Sequence, residues 1–66
     1  MAFQPKTFLD LCFSMKTKAT VDIDGQVGVI SCVEREGGSG YSWNVSIMHD
    51  DGFHATVFFR ENQLAT

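Results

Sequence analysis

The chain has little of what most functional classes require. Its five Lys and Arg are outnumbered by eight Asp and Glu, leaving a net charge of −3. Nucleic-acid binders draw most of their affinity from cationic side chains on phosphate, so this balance argues against that role. Two cysteines, Cys12 and Cys32, are too few for a disulfide framework. They are expected as buried, reduced thiols. No apolar run approaches the roughly 18 residues that a membrane span needs. The opening residues 1–6 lack the basic and apolar regions of a secretory signal, so the expectation is a cytoplasmic protein with no membrane partner. Length excludes more: 66 residues make one small domain, of a size that buries only about 60% of its unfolded surface. Such a chain needs a dense core, a staple or a partner.

What is present is apolar and aromatic: 44% hydrophobic residues, with six Phe, one Tyr and one Trp, which excludes disorder. The charge is uneven. Residues 1–19 carry Lys6, Lys16 and Lys18 against Asp10, a net +2, and the remainder carries −5. Two segments follow from the hydrophobic period. Residues 1–18 form a helical segment, with the helix itself expected at about residues 4–16. There Phe8, Leu11 or Cys12, and Met15 fall on one stripe, Pro5 suits a first turn, and Lys16 and Lys18 suit the negative end. Residues 19–66 read as a small β-barrel, because from Ala19 the period becomes two. Val21 and Ile23, then Val27, Val29 and Val33, then Trp43, Val45 and Ile47, then Phe53, Ala55, Val57 and Phe59 alternate with their neighbours as four antiparallel strands.

The last connection is the best specified. Asp50-Asp51-Gly52 fits a three-residue hairpin loop, a type I turn followed by a left-handed glycine in a bulge. That loop sets Ile47 opposite Ala55, Val45 opposite Val57 and Trp43 opposite Phe59, and it puts every apolar odd-numbered residue on one side. Asp24-Gly25 marks the first turn less cleanly. A two-residue loop places Val21 and Ile23 beside Ile30 and Cys32, whereas an odd loop keeps them beside Val27 and Val29.

The run Val21-Asp22-Ile23-Asp24-Gly25-Gln26-Val27-Gly28-Val29-Ile30 followed by Val33, strand Trp43-Asn44-Val45 and the terminal Phe58-Phe59-Arg60-Glu61-Asn62-Gln63-Leu64 resemble KOW- and Tudor-type small barrels. Over residues 20–64 this implies an SH3-like fold: a short N-terminal helix, then a four- or five-stranded antiparallel barrel. Plasmid-type dihydrofolate reductases share that barrel, but where their Val-Gln-Ile-Tyr motif would stand the chain reads Val57-Phe58-Phe59-Arg60. Their activity is not carried over.

No chemistry-bearing constellation reaches a catalytic or metal signature. Asp22 and Asp24 imitate part of a calcium loop, yet Thr20 and Ser31 stand where the first Asp and the bidentate Glu are required. Cys12, Cys32, His49 and His54 are ligand types without ligand spacing. A cysteine nucleophile needs an electropositive, partly exposed setting, and Cys32 reads as buried. Gly37–Gly40 lacks the Gly-Lys-Ser/Thr ending and following helix of a phosphate cradle. No catalytic residue, cofactor or metal ion is expected.

The anomaly is a second apolar face. Ile30, Cys32, Met48 and Phe58 point away from the Val27/Val29/Val45/Val57 side, so they are covered by the helix, by the curl of the barrel itself or by another chain. The expectation is a non-enzymatic module that acts by protein–protein contact as a homo-oligomer with an unknown protein partner. It suits an accessory protein of a phage or mobile element. Phe8, Met15, Ile30, Met48 and Phe58 form the association surface, and Gly37, Gly38, Ser39, Gly40 and Tyr41 form a partner-facing loop. Two alternatives stand beside it. One is a nucleic-acid-binding barrel using Lys16, Lys18, Arg35, Tyr41 and Trp43, and the other is an enzyme whose site forms between subunits.

Overall fold

The computed structural model describes residues 2–36 and 42–61. Its elements in chain order are helix α1 (Phe8–Thr17) and strands β1 (Thr20–Ile23), β2 (Gln26–Arg35), β3 (Ser42–Met48) and β4 (His54–Arg60). The strands form one antiparallel meander in the order β1-β2-β3-β4. The protein is mainly β, a curled half-barrel sheet whose concave side is closed by the helix.

The helix starts at Phe8, with the apolar stripe, and not near residue 4. Thr7 is its N-cap: the hydroxyl accepts from the Asp10 N–H, and the Asp10 carboxylate accepts from the N–H groups of Thr7 and Lys6, at 2.9–3.2 Å. This reciprocal box satisfies donors that a helix start otherwise leaves orphaned. Pro5, expected in the first turn, instead lies before the helix and is buried. At the other end Lys18 takes a left-handed conformation (φ 58°), and Ser14 O accepts from the N–H groups of Lys18 and Ala19. Leu11 enters the core, Met15 packs against it, and Phe8 stacks on Trp43 at 4.9 Å with a 19° interplanar angle. The helix therefore covers the concave face, not the second face.

The β3–β4 hairpin matches the parity expected of its loop. Gly52 has φ 86°, its N–H donates to His49 O, and the His49 N–H donates to Phe53 O. Asp51 Oδ1 accepts from the Phe53 N–H at 2.9 Å. Trp43 pairs with Phe59, Val45 with Val57 and Ile47 with Ala55. All but Ala55, which is half-buried, lie in the core.

Strand β2 corrects the sequence reading. Asp24 and Gly25 make a strict two-residue turn with positive φ at both positions (53° and 83°), and Ile23 pairs with Gln26. Such a turn matches the twist of the flanking strands. It places Val21 opposite Gly28, so the even positions Gly28 and Ile30 face the core while Val27 is exposed and Val29 is half-buried. Ser31 is then an extra residue, since the β2–β3 register shifts between Ile30 and Cys32. A bulge of this kind exchanges the two faces of a strand. Beyond it Val33 returns to the core side opposite Val45, and Cys32 is exposed, not buried.

At the start of the chain Phe3 bridges Val21: its N–H donates to Thr20 O, and its carbonyl accepts from the Asp22 N–H, both at 2.9 Å. This segment occupies part of the outer edge of β1.

Candidate functional site

The concave side is filled. Leu11, Val21, Ile23, Ile30, Trp43, Val45, Ile47, Val57 and Phe59 form a continuous core. Trp43 lies between Phe8 and Phe59 and is only 7% exposed, so it offers no stacking platform for a nucleic-acid base. Ile30, expected at an association surface, is 2% exposed and belongs to this core for the parity reason just given. Met15 packs against this core, while Phe8, stacked on Trp43, stays 38% exposed, as much as Phe58.

Two members of the expected association surface, Met48 and Phe58, do stand on the convex face and remain exposed. They are not contiguous. Met48 pairs with His54 and Phe58 with Asn44, and the Ser46/Thr56 row runs between them. Arg60 lies over the Phe58 ring at 4.9 Å. The remaining loop expectation, residues 37–41, lies outside the described residues, so Lys16, Lys18 and Arg35 are the members of the nucleic-acid set that are placed and exposed.

The most exposed large apolar side chains on regular structure are ones that the periodicity argument passed over. Leu9 (77% exposed) and Phe13 (63% exposed) are four apart on the helix, on the side away from Leu11. Residues four apart in a helix are surface neighbours. Lys16, one turn on from Phe13, is exposed beside them. A helix that is apolar on two sides is the pattern of one covered from two sides. Its signal in the sequence was the pair Leu9/Phe13 running counter to the Leu11/Met15 stripe.

Among the described residues no three His, Cys, Asp or Glu side chains stand close enough to hold one metal ion. His49 is tied by Nδ1 to Val27 O at 2.9 Å, while His54 is exposed on the convex side. Asp22 accepts from the Gly25 N–H and so belongs to its turn. A groove of about 480 Å³ between the N-terminal segment and the β1–β2 turn is lined by Gln4, Pro5, Lys6, Asp22, Ile23, Asp24 and Gly25. It is open to solvent and brings together one ammonium and two carboxylates without a nucleophile.

No helix among the described residues is long and apolar enough to cross a membrane. No protein-family model, curated protein or solved structure gives a match to this chain. The resemblance of residues 20–64 to KOW- and Tudor-type barrels therefore rests on glycine placement and alternation alone. What the fold defines is a helix-capped, half-barrel antiparallel sheet, and its function has to be read from its own surfaces.

Proposed function

We propose that this protein is a non-enzymatic binding module that self-associates and works by protein–protein contact. The observation that carries the reading is the amount of large apolar side chain left facing solvent in so small a chain. Leu9 and Phe13 line the outer side of the helix, Phe53 tops the last hairpin, and Met48 and Phe58 lie on the convex face. Scattered exposed apolar residues are ordinary, but these are large and several are aromatic, the type enriched where proteins bind one another. The concave side offers no chemistry to set against this, being packed with hydrocarbon. Light scattering coupled to size exclusion tests it. The wild-type chain elutes with a mass above 7.3 kDa, and Phe58→Asp shifts it toward the monomer. A monodisperse monomer that Phe58→Asp leaves unchanged removes the proposal.

A further inference from the structure

The self-association just proposed has one seam that the backbone itself specifies. We propose that β4 is that seam: two copies of this chain join antiparallel along β4 about a two-fold axis at Val57, making one continuous sheet. The inference rests on the self-association reading and adds its geometry.

The edges of the sheet are not equivalent. The outer edge of β1 is partly occupied, since Phe3 takes up Thr20 O and the Asp22 N–H. The outer edge of β4 has no backbone partner among the described residues. Which of its groups point outward follows from the ladder. His49 and Phe53 share a hydrogen bond, and bonded and non-bonded pairs alternate along an antiparallel ladder. Ala55, Val57 and Phe59 therefore bond inward to β3, and His54, Thr56, Phe58 and Arg60 direct their N–H and C=O groups outward.

Monomeric sheet proteins protect such an edge with proline, lysine, a bulge or a very short strand. Strand β4 has none of these. It reads His54-Ala55-Thr56-Val57-Phe58-Phe59-Arg60, seven residues in unbroken register with β3. Its composition is β-branched and aromatic, and only its two ends are cationic or titratable.

The occupant is a second copy because the strand is complementary to itself. With the axis at Val57, Thr56 meets Phe58 of the second copy and His54 meets Arg60, so every outward-bonding residue meets another outward-bonding residue. Each such pair can exchange both N–H···O bonds. On the concave side Val57 meets Val57 and Ala55 meets Phe59, small against large. On the convex side the half-exposed Phe58 ring gains a threonine methyl as neighbour. A two-fold contact of this kind closes on itself, so it gives a discrete dimer and not a fibre.

The experiment uses the full chain. Thr56→Pro removes an outward N–H and none that β3 uses, a position where an edge strand tolerates proline. It is expected to keep the circular dichroism spectrum and to raise the dimer dissociation constant about tenfold or more, since two symmetry-related bonds are lost. Val57→Cys in a Cys12→Ser/Cys32→Ser background reports the register. Facing non-bonded residues have Cα atoms about 4.5 Å apart, within disulfide range, so this variant is expected to oxidise to a covalent dimer while Thr56→Cys in the same background does not. If Thr56→Pro disrupts the fold, the cysteine pair decides alone. A wild-type dimer that survives Thr56→Pro with its fold intact, or that Val57→Cys fails to trap, overturns the β4 seam. Dissociation by Leu9→Ser/Phe13→Ser and not by Thr56→Pro also overturns it, leaving self-association standing through the helix. A wild-type chain that is monomeric at every concentration sinks both readings.

Discussion

Gly28 is the position where one methyl group should cost most. A Cβ built there would collide with the Met48 carbonyl oxygen, and would lie 2.7 Å from the carbonyl carbon and 2.9 Å from Ile47 Cγ2. The first two obstacles are backbone, so no rotamer change relieves them. Strand β3 would have to withdraw from β2 at the end of their ladder, where Val29 pairs with Met48. Overpacking of this kind typically costs about 1–3 kcal/mol. The entropy that Gly→Ala removes from the unfolded chain returns only about 0.4–1 kcal/mol. With backbone as the obstacle the cost sits at the top of that range, and Gly28→Ala is expected to lose about 2 kcal/mol net. A chain of this length holds about 3–10 kcal/mol in all. The loss corresponds to a melting temperature lower by about 8–16 °C. Urea unfolding followed by the fluorescence of Trp43, the single tryptophan and a buried one, measures it. A Gly28→Ala protein as stable as the wild type, or more stable, would refute the close approach of β2 and β3.

Three further outcomes follow from local features. Ser14 Oγ is fully buried and has no hydrogen-bond partner among the described residues, so Ser14→Ala should raise stability by about 1 kcal/mol; a loss in the same urea titration would mean that the hydroxyl has a partner. Thr7→Ala removes the N-cap acceptor and should cost about 1 kcal/mol, and no change would remove the capping box from the account. Gly52 has room for a side chain but a φ of 86°. Gly52→Ala should therefore destabilise through backbone strain alone, by about 1 kcal/mol, and a cost equal to that of Gly28→Ala would show that space and conformation have been wrongly separated.

These positions also mark how far the fold could be read in advance. The β3–β4 hairpin was legible because two independent signals coincide: Asp50-Asp51-Gly52 demands an odd loop, and the odd loop alone buries Trp43, Val45, Ile47, Val57 and Phe59 together. In β2 the signals conflict. Val27 and Val29 look like core residues, but the two-residue Asp24-Gly25 turn commits the strand to Gly28 and Ile30 instead. The bulge at Ser31 then restores Val33 to the same side, and no alternation pattern reveals where a strand gains a residue. The helix stripe was legible, whereas its start was not, because apolar spacing gives no weight to Thr7 and Asp10, the two halves of the capping box. Of the expected association surface, Met48 and Phe58 lie where the alternation of β3 and β4 put them, and Ile30 moved to the core with its strand. Leu9 and Phe13 were missed because a stripe search stops once it has found one apolar side. The outward groups of β4 carry no side-chain signal at all, since they are backbone and depend on strand order.

The most direct measurement is amide hydrogen exchange along β4, residue by residue, at a concentration where the chain exceeds its monomer mass. The account predicts that the outward amides of Thr56 and Phe58 are protected to the same order as the inward amide of Val57, and that their protection fades on dilution while that of Val57 persists. Thr56 and Phe58 amides exchanging freely at that concentration, with Val57 protected, would contradict it.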